Sequence, residues 1–261
     1  MTSPILVTGG TGTIGRLVVP RLRAAGHDIR VLSRHEHESD DGIEYMIGDL
    51  ATGDGLGPAV EGVTKILHLG GSAKGDDQKA RNLVRAAARA DRPHVTYVSV
   101  VGTDRLPVVS RIDRMLFGYF EAKRLAEEVI ADSGLPWTTL RVAQLQEAIL
   151  VVARGMAKSP VIPLPSGFRF QPVDGGEVAD RLVELTLEEP AGLVPDLAGP
   201  TVYPLRDLVR SYLRATGRHR LMLPVRMPGK AARAYREGAN LAPVNPLGKR
   251  TWEEFLAEHA A

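Results

Sequence analysis

The chain has 261 residues, of which 25% are charged and 44% are hydrophobic, and its net charge is +2. This length is enough for a full hydrophobic core, and the small net charge gives no general attraction to nucleic acid or to a membrane surface. Because the chain contains no cysteine and no apolar stretch long enough to span a bilayer, we exclude disulfides and thiolate chemistry and expect a cytoplasmic protein.

The first predicted elements are a buried strand, a glycine-rich turn and a helix between residues 4 and 25. The turn has the spacing GxGxxG, with glycines at positions 10, 12 and 15. Glycines at a strand end permit positive φ and a close backbone approach to phosphate, and the N-terminus of the next helix attracts negative charge. We expect a dinucleotide to bind here, although a turn that only reverses the chain is the alternative. The predicted contacts are Gly9, Thr11, Gly12, Thr13 and Ile14.

A second predicted strand, at residues 29–32, leads to Ser33 and Arg34. A basic residue at this point of a dinucleotide-binding sheet pairs with the 2′-phosphate of NADP, whereas an acidic residue holds the ribose hydroxyls of NAD. The sequence therefore favours NADP(H). Glu36 keeps NAD(H) possible, and Arg34 as a solvated loop residue is the alternative interpretation.

Two further strand ends offer ligand contacts. The strand at residues 43–47 leads to Asp49 and Leu50, which can meet the amino group and the face of an adenine ring; a helix cap is the alternative role of Asp49. The strand that starts at residue 65 ends in Leu69, Gly70 and Gly71, where the backbone can pass close beside a ligand.

Strands and helices continue to alternate, with strands at 94–99 and 135–141 and helices near 77–90 and 111–132. This spacing predicts an α/β fold with a doubly wound parallel Rossmann sheet. We expect residues 1–144, with roughly 172–200 returning to the sheet, to form the dinucleotide-binding domain. The remaining segments, 145–171 and 201–261, are expected to form a small C-terminal α+β cap over the substrate.

The candidate catalytic pair is Tyr119 and Lys123, which lie four residues apart in a predicted helix. Residues at this spacing share one face, and an ammonium beside a phenol lowers the phenol pKa, so Tyr119 can act as a general acid or base. Lys123 can also donate to a nicotinamide ribose. Ser99, at the end of the preceding strand, is the third predicted catalytic residue. The same spacing also arises by chance in amphipathic helices.

These motifs resemble the short-chain dehydrogenase/reductase superfamily, and most closely its atypical NmrA-like branch. The resemblance implies binding of NADP(H) or NAD(H), with further contacts from Lys123, Val142 and Gln144. Two positions depart from the pattern, because Val100 and Val101 stand where active extended members carry a pair of serines. The resemblance covers almost the whole chain, and it is carried by residues 8–15, 48–49, 97–102, 119–123, 135–144 and 170–180.

Together, the motifs and the resemblance predict an NADP(H)-dependent oxidoreductase that acts on a small organic carbonyl or enone, for example in a biosynthetic pathway. Two alternatives stay open: a redox-sensing regulator without turnover, and an isomerase or cyclase on the same fold. Further residues are predicted to face the substrate, with packing as their alternative role. They are Thr103, Gln146, Phe168 and Phe170.

Other patterns are interpreted as ordinary surface features. His35 and His37 form a His-x-His pair, but no third ligand cluster accompanies them, and we expect no metal. Basic residues dominate positions 206–236, which we interpret as solvated helix faces rather than as a nucleic-acid site. We expect a small-molecule substrate, no nucleic-acid or membrane partner, and a monomer or homodimer.

Overall fold

The structure is a computed structural model that describes residues 3–39, 42–71, 75–242, 244 and 246–259. Its strands are β1 (Ile5–Thr8), β2 (Ile29–Ser33), β3 (Ile43–Ile47), β4 (Lys65–His68), β5 (His94–Val100), β6 (Trp137–Val142), β7 (Val161–Pro165), β8 (Arg169–Phe170), β9 (Gly192–Leu193), β10 (Tyr203–Pro204) and β11 (Leu221–Val225). Its helices are α1 (Gly15–Ala24), α2 (Leu56–Val60), α3 (Asp76–Ala87), α4 (Arg111–Ala131), α5 (Gln146–Met156), α6 (Gly175–Leu187), α7 (Leu205–Ala215), α8 (Lys230–Glu237) and α9 (Trp252–His259).

A seven-stranded parallel sheet organises the fold, with the strand order β3-β2-β1-β4-β5-β6-β9. β1 lies next to both β2 and β4, so that the end of β1 at Thr8 stands beside Leu32 and His68. The order reverses between β1 and β4, and ligands of such sheets bind outside the carboxyl ends of the strands at this switch point. The predicted α/β class with a Rossmann sheet is confirmed.

The chain divides into two compact units. The first contains Met1–Ser99, Glu121–Leu140 and Val178–Pro195, and the second contains Val100–Phe120, Arg141–Glu177 and Asp196–Ala261. The division predicted from the sequence differs in giving residues 100–120 to the dinucleotide-binding domain, and its boundaries stay a prediction. Each unit has a hydrophobic core of its own.

The core of the first unit consists of strand residues covered by helices. Leu6, Ile66 and Val95 are completely buried in three adjacent strands, and Leu83 of α3 and Ile130 of α4 pack in the same cluster. Strands that are buried on both faces read as continuous apolar runs rather than as alternating patterns. This is why the sequence locates these strands well.

The second unit is built around a cluster of aromatic rings. The rings of Phe168 and Tyr235 stack with their centroids 4.6 Å apart, and Phe117 and Phe120 of α4 pack against Tyr235. Two small sheets complete the unit, in which β11 pairs with β7 in parallel and β10 pairs with β8 in antiparallel orientation. None of the described helices has the length and apolar composition that are needed to cross a membrane.

Candidate dinucleotide-binding site

The glycine turn between β1 and α1 is packed so tightly that side chains are excluded at three positions. Gly9 has a φ of +72°, which suits glycine, and its carbonyl oxygen accepts a 3.0 Å hydrogen bond from the N–H of Gly12. A Cβ on Gly15 would lie 2.3 Å from the Gly9 oxygen, and a Cβ on Gly10 would lie 2.9 Å from Cγ1 of Val31 in β2. Gly15 therefore packs against the turn itself, and Gly10 is the glycine that packs against the sheet.

The outer surface of the turn is open to a ligand. Thr11, Gly12 and Thr13 are exposed, and Ile14 precedes α1 without a side-chain cap on the helix. The N-terminus of a helix carries a partial positive charge and attracts anions. In α1 the N–H groups of Arg16 and Leu17 donate to the carbonyls of Gly12 and Ile14. These features fit a diphosphate, as the sequence predicts.

The end of β2 presents one exposed cation, Arg34. The neighbouring Ser33 is buried, and its hydroxyl accepts a 3.2 Å hydrogen bond from the N–H of His35 and lies 3.0 Å from Nε2 of His37. The Ser33 hydroxyl is thus engaged within its own loop, and contact of Ser33 or Arg34 with a 2′-phosphate stays a prediction. Among the described residues, no group of three His, Asp or Glu side chains is arranged to hold a metal ion.

The segment after β3 forms a tight turn. The carboxylate of Asp49 accepts a 2.8 Å hydrogen bond from the N–H of Ala51, and its own N–H donates to the carbonyl of Asp54. Asp49 therefore shapes this turn and does not cap α2, which begins only at Leu56. Leu50 lies beside the backbone of Gly70, because a Cβ at that glycine would stand 2.6 Å from the leucine side chain. Contact of both residues with adenine stays a prediction.

A buried hydroxyl group connects β1 with the glycine pair after β4. Oγ1 of Thr8 accepts a 3.2 Å hydrogen bond from the N–H of Gly70 and shares a 2.7 Å hydrogen bond with Nδ1 of His68. The His68 ring stacks on Tyr97 with the centroids 5.2 Å apart. Burial, helped by the nearby charge of Lys123, lowers the pKa of His68 to about 3, so the imidazole is neutral and holds the strand end in place.

Lys123 forms a buried ion pair with a residue that the sequence pattern does not single out. Its Nζ lies 3.2 Å from Oδ2 of Asp76, and the two side chains are 5% and 2% exposed. The same ammonium donates to the carbonyl of Val98 at 3.2 Å and lies 4.9 Å from the centroid of the Tyr97 ring. Burial lowers the pKa of Lys123, and the Asp76 carboxylate opposes that shift.

The backbone after β4 passes directly beside this ion pair. A Cβ on Gly71 would lie 2.9 Å from Nζ of Lys123 and 3.0 Å from Oδ2 of Asp76. Asp76 lies in the first turn of α3, where acidic residues are common because the helix dipole favours them. For this reason the sequence does not single out Asp76, and its pairing with Lys123 is seen only where the fold brings α3 and α4 together.

The other two predicted catalytic residues differ in their surroundings. Ser99 is 4% exposed, and its Oγ has no hydrogen-bond partner among the residues that the structure describes. Tyr119 precedes Lys123 by one turn on α4 and is 40% exposed. Its ring packs edge-on against Phe120. Both assignments stay predictions; the Ser99 hydroxyl is buried, whereas Tyr119 is accessible from solvent.

The remaining predicted contacts lie in the second unit. Thr103, Val142 and Phe168 are buried, and Phe168 belongs to the aromatic cluster together with the half-buried Phe170. Nε2 of Gln146 donates to the carbonyl of Arg250 at 3.0 Å, which ties the start of α5 to the chain before α9. Gln146 and Phe168 thus have structural roles, and contact with substrate stays a prediction for them and for Thr103 and Phe170.

Gln144 lies just after β6 and is partly buried. Its Oε1 atom is buried and has no hydrogen-bond partner within the described part of the chain. A buried polar atom without a partner is costly unless a ligand or water satisfies it. This observation agrees with a cofactor contact, which for Gln144 and Val142 stays a prediction.

The sheet order and the glycine turn define a dinucleotide-binding α/β protein of the Rossmann type. The sequence profile of the NAD(P)H-binding family matches residues 9–156, which is more than half of the chain. The chain therefore belongs to the NAD(P)H-binding family. The resemblance noted in the sequence is confirmed at this level, and the NmrA-like branch stays a prediction.

Two known enzymes align with almost the whole chain. The (4-alkanoyl-5-oxo-2,5-dihydrofuran-3-yl)methyl phosphate reductase of Streptomyces griseus is 27% identical over 286 aligned positions, which cover 98% of each chain. The NAD(P)H azoreductase of Xenophilus azovorans is 25% identical over 288 aligned positions, with the same coverage of 98%.

Solved structures show the same fold. The NADPH-dependent quinone oxidoreductase of Escherichia coli, in complex with NADPH, matches with a TM-score of 0.80 at 20% identity over 97% of this chain and 99% of that chain. The triphenylmethane reductase of Citrobacter sp., in complex with NADP(H), matches with a TM-score of 0.77 at 20% identity over 98% and 99% of the two chains.

Proposed function

We propose that the protein is an NADP(H)-dependent oxidoreductase that acts on a small organic carbonyl or enone. The observation that carries the proposal is the buried ion pair of Lys123 and Asp76 beside Gly71, in the same unit as the glycine turn. Titratable groups whose pKa is shifted by burial and by a specific charge partner, as for Lys123, are concentrated at functional sites. The names of the two aligned relatives, both reductases, support the same class of enzyme.

The residues of the first unit bind the cofactor. The glycine turn and the N-terminus of α1 hold the diphosphate, and Arg34 pairs with the 2′-phosphate and so selects NADP(H) over NAD(H). Gly70 and Gly71 let the backbone approach the ligand, and Lys123 donates to the nicotinamide ribose. The bound dinucleotide supplies or accepts the hydride.

Tyr119 and Ser99 serve the substrate. In the direction of reduction, the carbonyl or enone carbon gains a hydride, and the Tyr119 hydroxyl gives its proton to the substrate oxygen. An ammonium one helical turn away favours the phenolate that remains. The Ser99 hydroxyl, which has no hydrogen-bond partner among the described residues, orients the substrate oxygen by a hydrogen bond.

The test combines binding and turnover. Titration calorimetry with NADPH and NADH measures affinity, and loss of NADPH absorbance measures turnover with menadione, cyclohexenone, benzaldehyde and methyl red. We expect NADPH to bind more tightly than NADH and at least one compound to be reduced. With benzaldehyde or cyclohexenone, deuterium transferred from the nicotinamide C4 should appear on a carbon atom of the product.

The Tyr119→Phe variant separates the proposed enzyme from its alternatives. An enzyme should lose most of its turnover and keep its affinity for NADPH, since the phenol acts only in the proton step. The matched control is Tyr203→Phe, which removes a phenol that hydrogen-bonds Glu253 in the second unit. Binding of NADPH without any turnover would favour a redox sensor. Conversion of substrate without net consumption of NADPH would favour an isomerase or cyclase. Absence of NADPH binding would overturn the proposal.

A further inference from the structure

We propose that Asp76 is a positioning residue for the reaction, because its carboxylate keeps the Lys123 ammonium charged and in place beside Gly71. The inference rests on the proposed function, and it adds a residue that the glycine and Tyr–Lys motifs do not contain. Asp76 comes from the first turn of α3 and Lys123 from α4, and both belong to the first unit. The two residues are 3.2 Å apart at their charged atoms.

The physical reason is the cost of burying a charge. An ammonium in an apolar interior tends to lose its proton unless an opposite charge lies within a few ångströms. Asp76 is the carboxylate in direct contact with Lys123, and Glu127 on α4 acts in the same direction from a greater distance. Lys79 acts in the opposite direction, and it lies 3.5 Å from the other carboxylate oxygen of Asp76.

Two further contacts of Lys123 cannot replace the carboxylate. Its Nζ donates to the carbonyl of Val98 and lies over the ring of Tyr97, and both contacts are with uncharged groups. His68 on β4 is neutral, since burial lowers its pKa to about 3. Loss of the Asp76 charge therefore leaves Lys123 with a weaker hold on its proton and on its position.

The next residue in the chain supplies a matched control. Asp77 lies in the same helical turn and pairs with Arg81 at 2.6 Å, but both of these side chains are more exposed, at 27% and 46%. An acidic residue that served only the helix dipole would behave alike at both positions. The inference requires that Asp76→Asn and Asp77→Asn behave differently, although each removes one carboxylate from the first turn of α3.

The first experiment measures the pH profile of turnover with NADPH and menadione, or with the most active compound of the panel above. In Asp76→Asn the Lys123 pKa falls further, so the charged lysine is lost at lower pH. We expect the alkaline limb of kcat to move down by about one pH unit or more, with activity recovering toward about pH 6. Asp77→Asn should keep the wild-type profile, and Asp76→Glu should restore part of it.

The second experiment needs no cofactor and no turnover. Urea unfolding of the free protein measures its stability at about pH 7 and about pH 9.5. In Asp76→Asn the folded state holds the Lys123 proton less firmly than the unfolded state, so the stability deficit against wild type should shrink as pH rises. The double variant Asp76→Asn/Lys123→Met should be more stable than Asp76→Asn, because it removes the stranded charge.

The outcomes of the two experiments are distinguishable. An unshifted pH profile, together with a stability deficit that neither pH nor the double variant changes, would overturn the role of Asp76. If Asp76→Asn does not fold, failure of the double variant to recover the fold would overturn it as well. If wild-type protein shows no turnover at all, the proposed function fails, while the unfolding experiment still decides whether Asp76 holds the charge of Lys123.

Discussion

Gly15 lies so close to Gly9 that a Cβ atom at residue 15 would stand 2.3 Å from the Gly9 carbonyl oxygen. This contact closes the turn that joins the end of β1 at Thr8 to the start of α1 at Gly15. The N-terminus of α1 thereby lies next to the exposed residues of the turn, Thr11, Gly12 and Thr13. The first prediction therefore concerns the addition of a single methyl group at residue 15.

The Gly15→Ala variant should lose binding of NADPH. The added carbon must push the turn open, which we expect to lower the free energy of unfolding by about 2 kcal/mol and to weaken NADPH binding more than about tenfold. Urea unfolding and calorimetry measure the two effects. The control is Gly57→Ala in α2, where a Cβ meets open space, and it should leave both unchanged or add up to about 1 kcal/mol of stability. Wild-type affinity in Gly15→Ala would contradict the site.

The Arg34→Ala variant should separate the two nicotinamide cofactors. A hydrogen bond between an arginine and a phosphate is charge-assisted, so its loss should weaken NADPH binding by about tenfold or more. NADH has no 2′-phosphate, and its affinity should stay the same. Arg206→Ala, at another exposed arginine, serves as the control and should change neither. Equal affinity of Arg34→Ala and wild type for NADPH would show that Arg34 is only a solvated loop residue.

We expect Asp113 to stabilise the second unit. Its carboxylate accepts hydrogen bonds from the hydroxyl and the N–H of Ser110, at 2.7 and 3.1 Å, and from the N–H of Ala231 at 3.1 Å. One side chain therefore caps the starts of both α4 and α8. Asp113→Ala should lower the free energy of unfolding by about 2–3 kcal/mol, while Asp207→Ala on the surface of α7 should change it by less than about 1 kcal/mol.

The same carboxylate gives this effect a pH dependence. The hydrogen bond from Ser110 lowers the pKa of Asp113, so its contribution is present above the usual aspartate pKa. It is lost as pH falls through the lowered value. The difference in unfolding free energy between wild type and Asp113→Ala should therefore shrink in acid. A difference that stays constant between about pH 7 and about pH 3 would contradict the assignment.

Because His68 is buried, we expect the protein to lose stability in mild acid. Burial lowers its pKa from 6.5 to about 3, so below the usual value the unfolded chain takes up the proton first. Stability should then fall as pH drops from about 6.5 toward 3. His68→Gln should show a smaller decrease between about pH 7.5 and pH 5, measured by urea unfolding. The exposed His219→Gln is the control, and an equal decrease in both variants would count against the buried neutral imidazole.

The sequence predicts most of the regular structure, because the buried strands of the first unit are continuous apolar runs. It does not predict α5. This helix contains the run Ala148 to Ala153, in which Ile149, Leu150 and Ala153 are buried while Val151 and Val152 are exposed. Exposed valines next to buried residues remove the alternation of polar and apolar positions from which a helix is recognised.

The sequence also does not predict β11, because this strand contains a proline. β11 contains Pro224, which reads as a strand breaker. It is tolerated because β11 is paired with β7 in a sheet of only two strands, where not every N–H needs a partner strand.

Part of the candidate site can likewise be predicted from the sequence, and part cannot. The glycine turn and Arg34 are local signals, readable from spacing alone. The partners Thr8 and His68, and likewise Asp76 and Lys123, come together only through the crossover of the chain between strands. No pattern in the sequence states that one acidic residue of a helical turn faces inward while its neighbour faces solvent.

The sheet ends at β9, a strand of two residues that pairs with Thr138 and Thr139. So short a border leaves few backbone groups on which the strand of another molecule could grow. The shortness of β9, rather than charged side chains, therefore protects this edge of the sheet against amyloid-like pairing with other chains.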